Sequence, residues 1–201
     1  PLAYMESVDW LGPDIWYAHG VHFNDQELEL LAETQTGVAH CPVSNQKLAS
    51  GIARVPEMLE LEVPVGLAVD GSASNDSSNM IAEMRAAFLI HRVTCGIKAM
   101  SAEQALYLAT KGSTQLLGRN DIGSLEVGKV GDLFMVNSNR LGFAGGQLDP
   151  VSALIHCGDT QIVDYTIVNG EIVVKDGKLV NVDEEKLISD ANQVSIEMLQ
   201  K

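Results

Sequence analysis

The stretch Val63-Pro64-Val65-Gly66-Leu67-Ala68-Val69-Asp70 carries the reading of the fold. It is apolar almost throughout, as a strand buried on both faces should be, and it ends on a carboxylate. Two further short apolar runs precede it, Ile15-Trp16-Tyr17-Ala18-His19 and Gly37-Val38-Ala39-His40-Cys41. Between them Asn24 is followed three residues later by Glu27, the form of a capping box, which predicts a helix to about Thr36. Pro42 stops the second run, and a Gly- and Ser-containing loop leads to a short helix near Pro56 to Leu61. After Asp70 a polar loop from Gly71 to Asn79 precedes a helical pattern from Met80 to about Val93. Strands alternating with helices predict a parallel sheet built of right-handed βαβ units.

Downstream the pattern changes. Ser101, with Gln104 as its N3 partner, opens a helix to about Leu117 that Gly118 closes. Gly131 to Asn137 reads as a strand. Asn169-Gly170 and Asp176-Gly177 then separate the runs 165–168, 172–175 and 179–182, and such dipeptides between strands mark hairpins. The expected organisation is an α/β part over residues 1–118 and a small antiparallel module over 119–201. The tail from Asp183 carries Leu187, Ile188, Val194, Met198 and Leu199 at helical spacing, as a docked helix or a solvated one.

Composition narrows the partners. The 201 residues carry 27 acids against 13 bases, a net charge of −14. So acidic a chain repels phosphate backbones and anionic lipid, which argues against nucleic acid and membrane surfaces. No apolar run approaches the roughly 20 residues that a bilayer requires. Cys41, Cys95 and Cys157 stand far apart with no Cys-x-x-Cys, which argues against a disulfide scaffold or a cysteine-built zinc site and favours a reducing cytoplasm.

The chemistry concentrates at strand ends. His19, His40 and Asp70 each fall at or near the C-terminal end of a successive apolar run, and in a parallel sheet those ends converge on the ligand-binding rim. An Asp closing so apolar a run needs a cation, a metal or several donors; the alternative is a cap bonded to nearby groups such as Gly71 and Ser72. His19 reads either as a site residue or as a core histidine bonded to backbone, and His40 as structural. His19 and His22 form an H-x-x-H, but strand geometry places a three-residue offset on opposite faces, so the pair is not expected to chelate. His91, in a helix, and His156, in the later module, read as bystanders.

The segments WYAHGVHFNDQE, TGVAHCPVSNQKLASGIARV, VPVGLAVDGSASND and IGSLEVGKVGDLFMV together resemble the amidohydrolase superfamily, in the branch of guanine, cytosine and triazine aminohydrolases. The resemblance runs from about Trp10 to Val182. It implies a distorted (β/α)8 barrel flanked by a small β-sandwich, with one divalent metal, usually zinc, at the top of the barrel. Asp70 is similar to the aspartate ending the eighth barrel strand, which binds the metal and takes a proton from the attacking water. His19 is similar to the histidine ending the sixth strand, which holds the attacking hydroxide and the developing oxyanion in place. Ser44 and Asn45 match a family Ser-Asn whose expected role is structural or loop-ordering. Within that branch the resemblance carried by LASGIA, DGSASND and DPVSAL implies hydrolytic deamination of a small oxo-purine base such as 8-oxoguanine. Guanine or a hydroxylated triazine is the alternative substrate, and a non-catalytic assembly or binding chain on the same fold is the alternative class.

The family pattern is incomplete here. No His-x-His occurs, and none of the histidines is followed by Glu at plus three. A full (β/α)8 barrel typically takes about 250 residues. The resemblance therefore implies strands six to eight, the last helices and the terminal part of the sandwich, with five strands upstream of Pro1. Asp70 alone cannot hold zinc, so the chain by itself is expected to have little or no turnover. A homo-oligomer that includes the N-terminal part of the same fold is the expected working state.

Overall fold

The computed structural model describes residues 1–157 and 163–200. Its first part runs α1 (Leu2–Ser7), β1 (Trp16–Ala18), α2 (Asp25–Thr34), β2 (Gly37–His40), α3 (Pro42–Lys47), α4 (Val55–Glu60), β3 (Val65–Leu67) and α5 (Met80–Cys95). The three strands form a parallel sheet in the order β1-β2-β3, with Tyr17 opposite Val38 and Val38 opposite Val65. Every residue of β2 and β3 is buried, as their unbroken apolar sequences require. The capping box that opens α2 is formed: Asn24 Oδ1 accepts from the Glu27 amide and Glu27 Oε2 accepts from the Asn24 amide, each at 3.0 Å.

The chain continues through α6 (Ala102–Tyr107), a wide π-type turn at Leu108–Gly112, α7 (Ser113–Leu116), β4 (Leu133–Met135), a short 3-10 turn at Leu141–Phe143 and α8 (Pro150–His156). It ends with β5 (Tyr165–Val168), β6 (Glu171–Lys175), β7 (Lys178–Leu179) and α9 (Glu184–Leu199). β4 to β7 make a separate four-stranded antiparallel sheet in sequence order. Both hairpin dipeptides adopt left-handed backbone at both positions, φ 51° and 81° at Asn169-Gly170 and 52° and 75° at Asp176-Gly177. That is the geometry these residue pairs favour. The fold is thus α/β, with a parallel sheet forming part of a barrel wall and a second sheet consistent with part of a small β-sandwich.

Four local differences from the sequence expectation have physical causes. Residues 42–47 are a helix and not a loop, because Pro42 sits in its first turn, where a missing N–H costs nothing. The helix expected from Ser101 to Leu117 is interrupted by the π-type turn where it crosses β3. Gly66 there has no room for a side chain: a Cβ would lie 2.6 Å from Ser113 Cα, and one on Gly112 would run into the Val65 carbonyl. Ser113 Oγ seals the contact by donating to Leu67 O at 2.9 Å. The DPVSAL segment forms α8, which packs on α5 and α6, buries Ile155 in the main core and receives Arg85 on its last carbonyls. The amphipathic tail is helical as expected, but α9 buries none of its residues, the solvated alternative.

Candidate functional site

The strand ends meet where α3 passes between them. His19 follows β1 directly and Asp70 lies three residues beyond β3, and both take left-handed backbone, φ 71° and 66°. Such backbone outside glycine costs on the order of 1–3 kcal/mol and persists only where its surroundings impose it. Here the His19 amide donates to Ala39 O at 2.8 Å, continuing the β1–β2 ladder past the strand. At Asp70 the chain turns so that Oδ1 accepts from the Gly71 amide at 2.7 Å. His19 Nε2 comes to rest 3.8 Å from Asp70 Oδ2, with the two side chains 37% and 26% exposed. Both therefore face an open rim, not the packed core.

Helix α3 grips each of them. Ser44 Oγ donates to Asp70 Oδ2 at 2.5 Å, and Asn45 Oδ1 lies 2.7 Å from His19 Nδ1. Both gripping residues are buried, Ser44 at 0% and Asn45 at 2% exposure, so the contacts are shielded from water. An amide oxygen on Nδ1 makes that nitrogen the N–H donor and leaves the lone pair of the neutral ring on Nε2, toward Asp70. Asp70 also accepts from Ser74 Oγ at 2.9 Å. The Ser44 hydroxyl, then the Gly71 amide and the Ser74 hydroxyl, hold its carboxyl down at about 2, so it is ionised at neutral pH. The two sequence readings of Asp70 are both partly realised. Gly71 and Ser74 cap it locally, while Ser44 and His19 reach it from the other two strand ends.

The remaining histidines separate cleanly. His40 is fully buried and turns away from the rim to His91 on α5, with their Nε2 atoms 3.2 Å apart and each Nδ1 without a partner among the described residues. Burial holds both rings below the ordinary histidine range. His22 lies exposed in the turn after Gly20, and His156 stacks edge-on against Phe88. Burial pushes the Cys41 thiol up to about 11, so it is no nucleophile.

Sequence reasoning assigned Ser44 and Asn45 no contact with the site and passed over Ser74, Asn75 and Glu83. Glu83 carried a signal. It shares one helix stripe with Ala87 and His91 on a face that is otherwise core, where a carboxylate is costly unless satisfied.

Among the described residues no three His, Cys, Asp or Glu side chains come together as a metal site. Asp70 fits as one ligand, since its carboxylate is part-exposed at the rim and Oδ1 has a single protein donor, the Gly71 amide. Zinc takes four ligands, so the described residues do not make a complete site.

With this geometry, the matches to known proteins are specific. The amidohydrolase family profile matches residues 1–173, and the chain belongs to that family. Its relatives place it in the deaminase and aminohydrolase branch. It is 47% identical over 186 residues to 8-oxoguanine deaminase of Pseudomonas aeruginosa, covering 92% of this chain and 41% of that protein. It superposes with a TM-score of 0.94 and 30% identity on a zinc-bound adenosine deaminase from Xanthomonas campestris, covering 100% of this chain and 46% of that one. A zinc-complexed atrazine chlorohydrolase from Arthrobacter aurescens TC1 matches at TM-score 0.90 and 30% identity, over 96% of this chain and 43% of the other. The chain thus spans less than half the length of these relatives.

Proposed function

We propose that this chain is the C-terminal part of a zinc-dependent enzyme that hydrolytically deaminates a purine- or triazine-like cyclic amidine. In this reading residues 1–118 belong to the barrel and 119–201 to the sandwich, except that α8 packs back on α5 and α6. Asp70 is a metal ligand and catalytic residue, and His19 is the second catalytic residue. The observation that carries it is the pairing of His19 and Asp70 across the rim, each in left-handed backbone and each held by α3.

When bound, zinc supplies the Lewis acidity that makes hydroxide available near neutral pH. This chain contributes two of the groups that act with it. Asp70, ionised because of its hydroxyl and amide donors, holds positive charge and accepts the proton of the attacking water for delivery to the leaving amine. His19 Nε2 faces the same rim, where it orients the attacking water and the oxygen of the tetrahedral adduct by hydrogen bonding. Asn45 keeps that nitrogen aimed by holding Nδ1.

The 47% identity to 8-oxoguanine deaminase supports an oxo-purine as substrate, while the likeness to triazine enzymes supports a hydroxylated triazine as the alternative. Steady-state ammonia release by the full-length protein, compared across 8-oxoguanine, guanine, adenosine and a hydroxytriazine, tests both levels. The expected result is the highest kcat/KM on 8-oxoguanine. Equal or faster turnover of guanine would overturn the oxo-purine assignment. No ammonia from any of the four would overturn the deaminase reading and favour a binding or assembly role.

A further inference from the structure

We infer that Glu83 is a positioning residue that keeps His19 and Asp70 in register from beneath the rim, an inference that rests on the deaminase reading above. Glu83 lies in the first turn of α5, and its side chain is completely buried. One carboxylate oxygen, Oε2, accepts from the Val43 amide at 3.1 Å. The other, Oε1, accepts from the Asn75 side-chain amide. These donors belong to the two segments that build the site. Val43 immediately precedes Ser44 and Asn45, which hold Asp70 and His19. Asn75 also donates from Nδ2 to Val69 O at 2.7 Å and from its backbone to Gly71 O at 2.9 Å, so it clasps Asp70 on both sides.

A buried carboxylate is tolerated only with its donors in place. A glutamate carboxylate, with acceptors at both ends of its fork, spans the two donors; glutamine has one acceptor oxygen and would turn an N–H toward the other. Loss of either arm frees a segment that fixes one reacting side chain. A displacement of about 1 Å at a reacting group is enough to cost on the order of 100-fold in rate. Ser44 ties the same two segments at Asp70 itself, and Glu83, equally buried, ties them through Val43 and Asn75.

The experiment uses full-length protein with zinc supplied, well below its melting temperature, and compares Glu83→Gln, Asn75→Ser and Ile155→Ala. Ile155 is a core residue on α8, outside the hydrogen bonds that hold His19 and Asp70, and serves as the control for lost stability. Glu83→Gln is expected to lower kcat by roughly 10- to 100-fold with KM little changed, the signature of a contact realised in the transition state. Ile155→Ala is expected to melt earlier but keep its kcat. Should Glu83→Gln melt early and turn over like wild type, Glu83 is a structural residue only and the inference is overturned. If Glu83→Gln does not fold, Asn75→Ser, which removes the amide donor to Glu83 and to Val69 O and leaves the Val43 arm in place, decides by the same kcat criterion. If wild type deaminates nothing, the function reading fails alone. Crystal structures of the variants then decide the positioning role: a His19 Nε2 to Asp70 Oδ2 separation still at 3.8 Å overturns it, and a widened one supports it.

Discussion

His19 Nε2 stands 3.8 Å from Asp70 Oδ2, although β2 separates the two strands that deliver them. Each residue leaves its strand by the same left-handed step, and each is caught by consecutive residues of one helix, Asn45 and Ser44. Asparagine tolerates left-handed backbone as well as aspartate does. Asp70→Asn in the full-length protein should therefore keep this backbone, melt lower because an amide nitrogen replaces one of the acceptor oxygens that Ser44, Gly71 and Ser74 use, and lose bound zinc. Metal analysis checks this, and wild-type zinc content in the variant would contradict a ligand role for Asp70.

Asn45→Ala removes the acceptor from His19 Nδ1. The proton of the neutral ring is then free to move to Nε2, and kcat should fall by roughly 10- to 100-fold, the usual range for losing a group that orients an acid or base. Nitrogen-15 spectra of the His19 ring read the tautomer directly. Nδ1 should carry the proton in wild type, and a mixture should appear in Asn45→Ala.

The buried His40–His91 pair predicts a pH dependence of stability. Burial lowers both folded-state values below the ordinary value of about 6.5. The unfolded chain therefore binds more protons below that pH, and the contribution of the neutral pair, fully present above it, is lost as pH falls. Each ring contributes a slope of at most about 1.4 kcal/mol per pH unit. Urea unfolding at pH 7 and pH 5 should show wild type losing more stability than His91→Leu, even though the variant starts lower at pH 7.

The crossing of β3 by the π-type turn leaves no space at Gly66, where the obstructing atoms are Ser113 backbone. Gly66→Ala should cost about 1–3 kcal/mol, the usual range for overpacking, and more if β3 cannot shift. Thermal melting measures it. Gly118→Ala makes the contrast: its Cβ would meet nothing within 4 Å, so only the left-handed φ of 62° opposes it.

Much of the fold was legible in the order of residues. The three apolar runs, the Asn24–Glu27 and Ser101–Gln104 boxes and the two hairpin dipeptides act over a few residues, and each appears where expected. The π-type turn was not legible, because it answers to β3, more than 40 residues away in sequence. Nor was α8, whose place against α5 depends on Arg85 reaching the carbonyls of Ile155 and Cys157. The buried contact of His91 with His40 was not legible for the same reason, since the two lie on different elements, although His91 stays a bystander to the rim.

The chain's local chemistry was enough to establish alternating strands and helices, a hairpin sheet after them, and His19 and Asp70 at strand ends. Backbone propensities and turn residues operate between near neighbours and need no knowledge of the rest. Which side chains grip those two residues was settled only when β1, α3, β3 and α5 came together. Hydrogen bonds from Ser44, Asn45 and Asn75, and the burial that makes Glu83 dependent on its donors, join positions whose proximity exists in space and not in sequence.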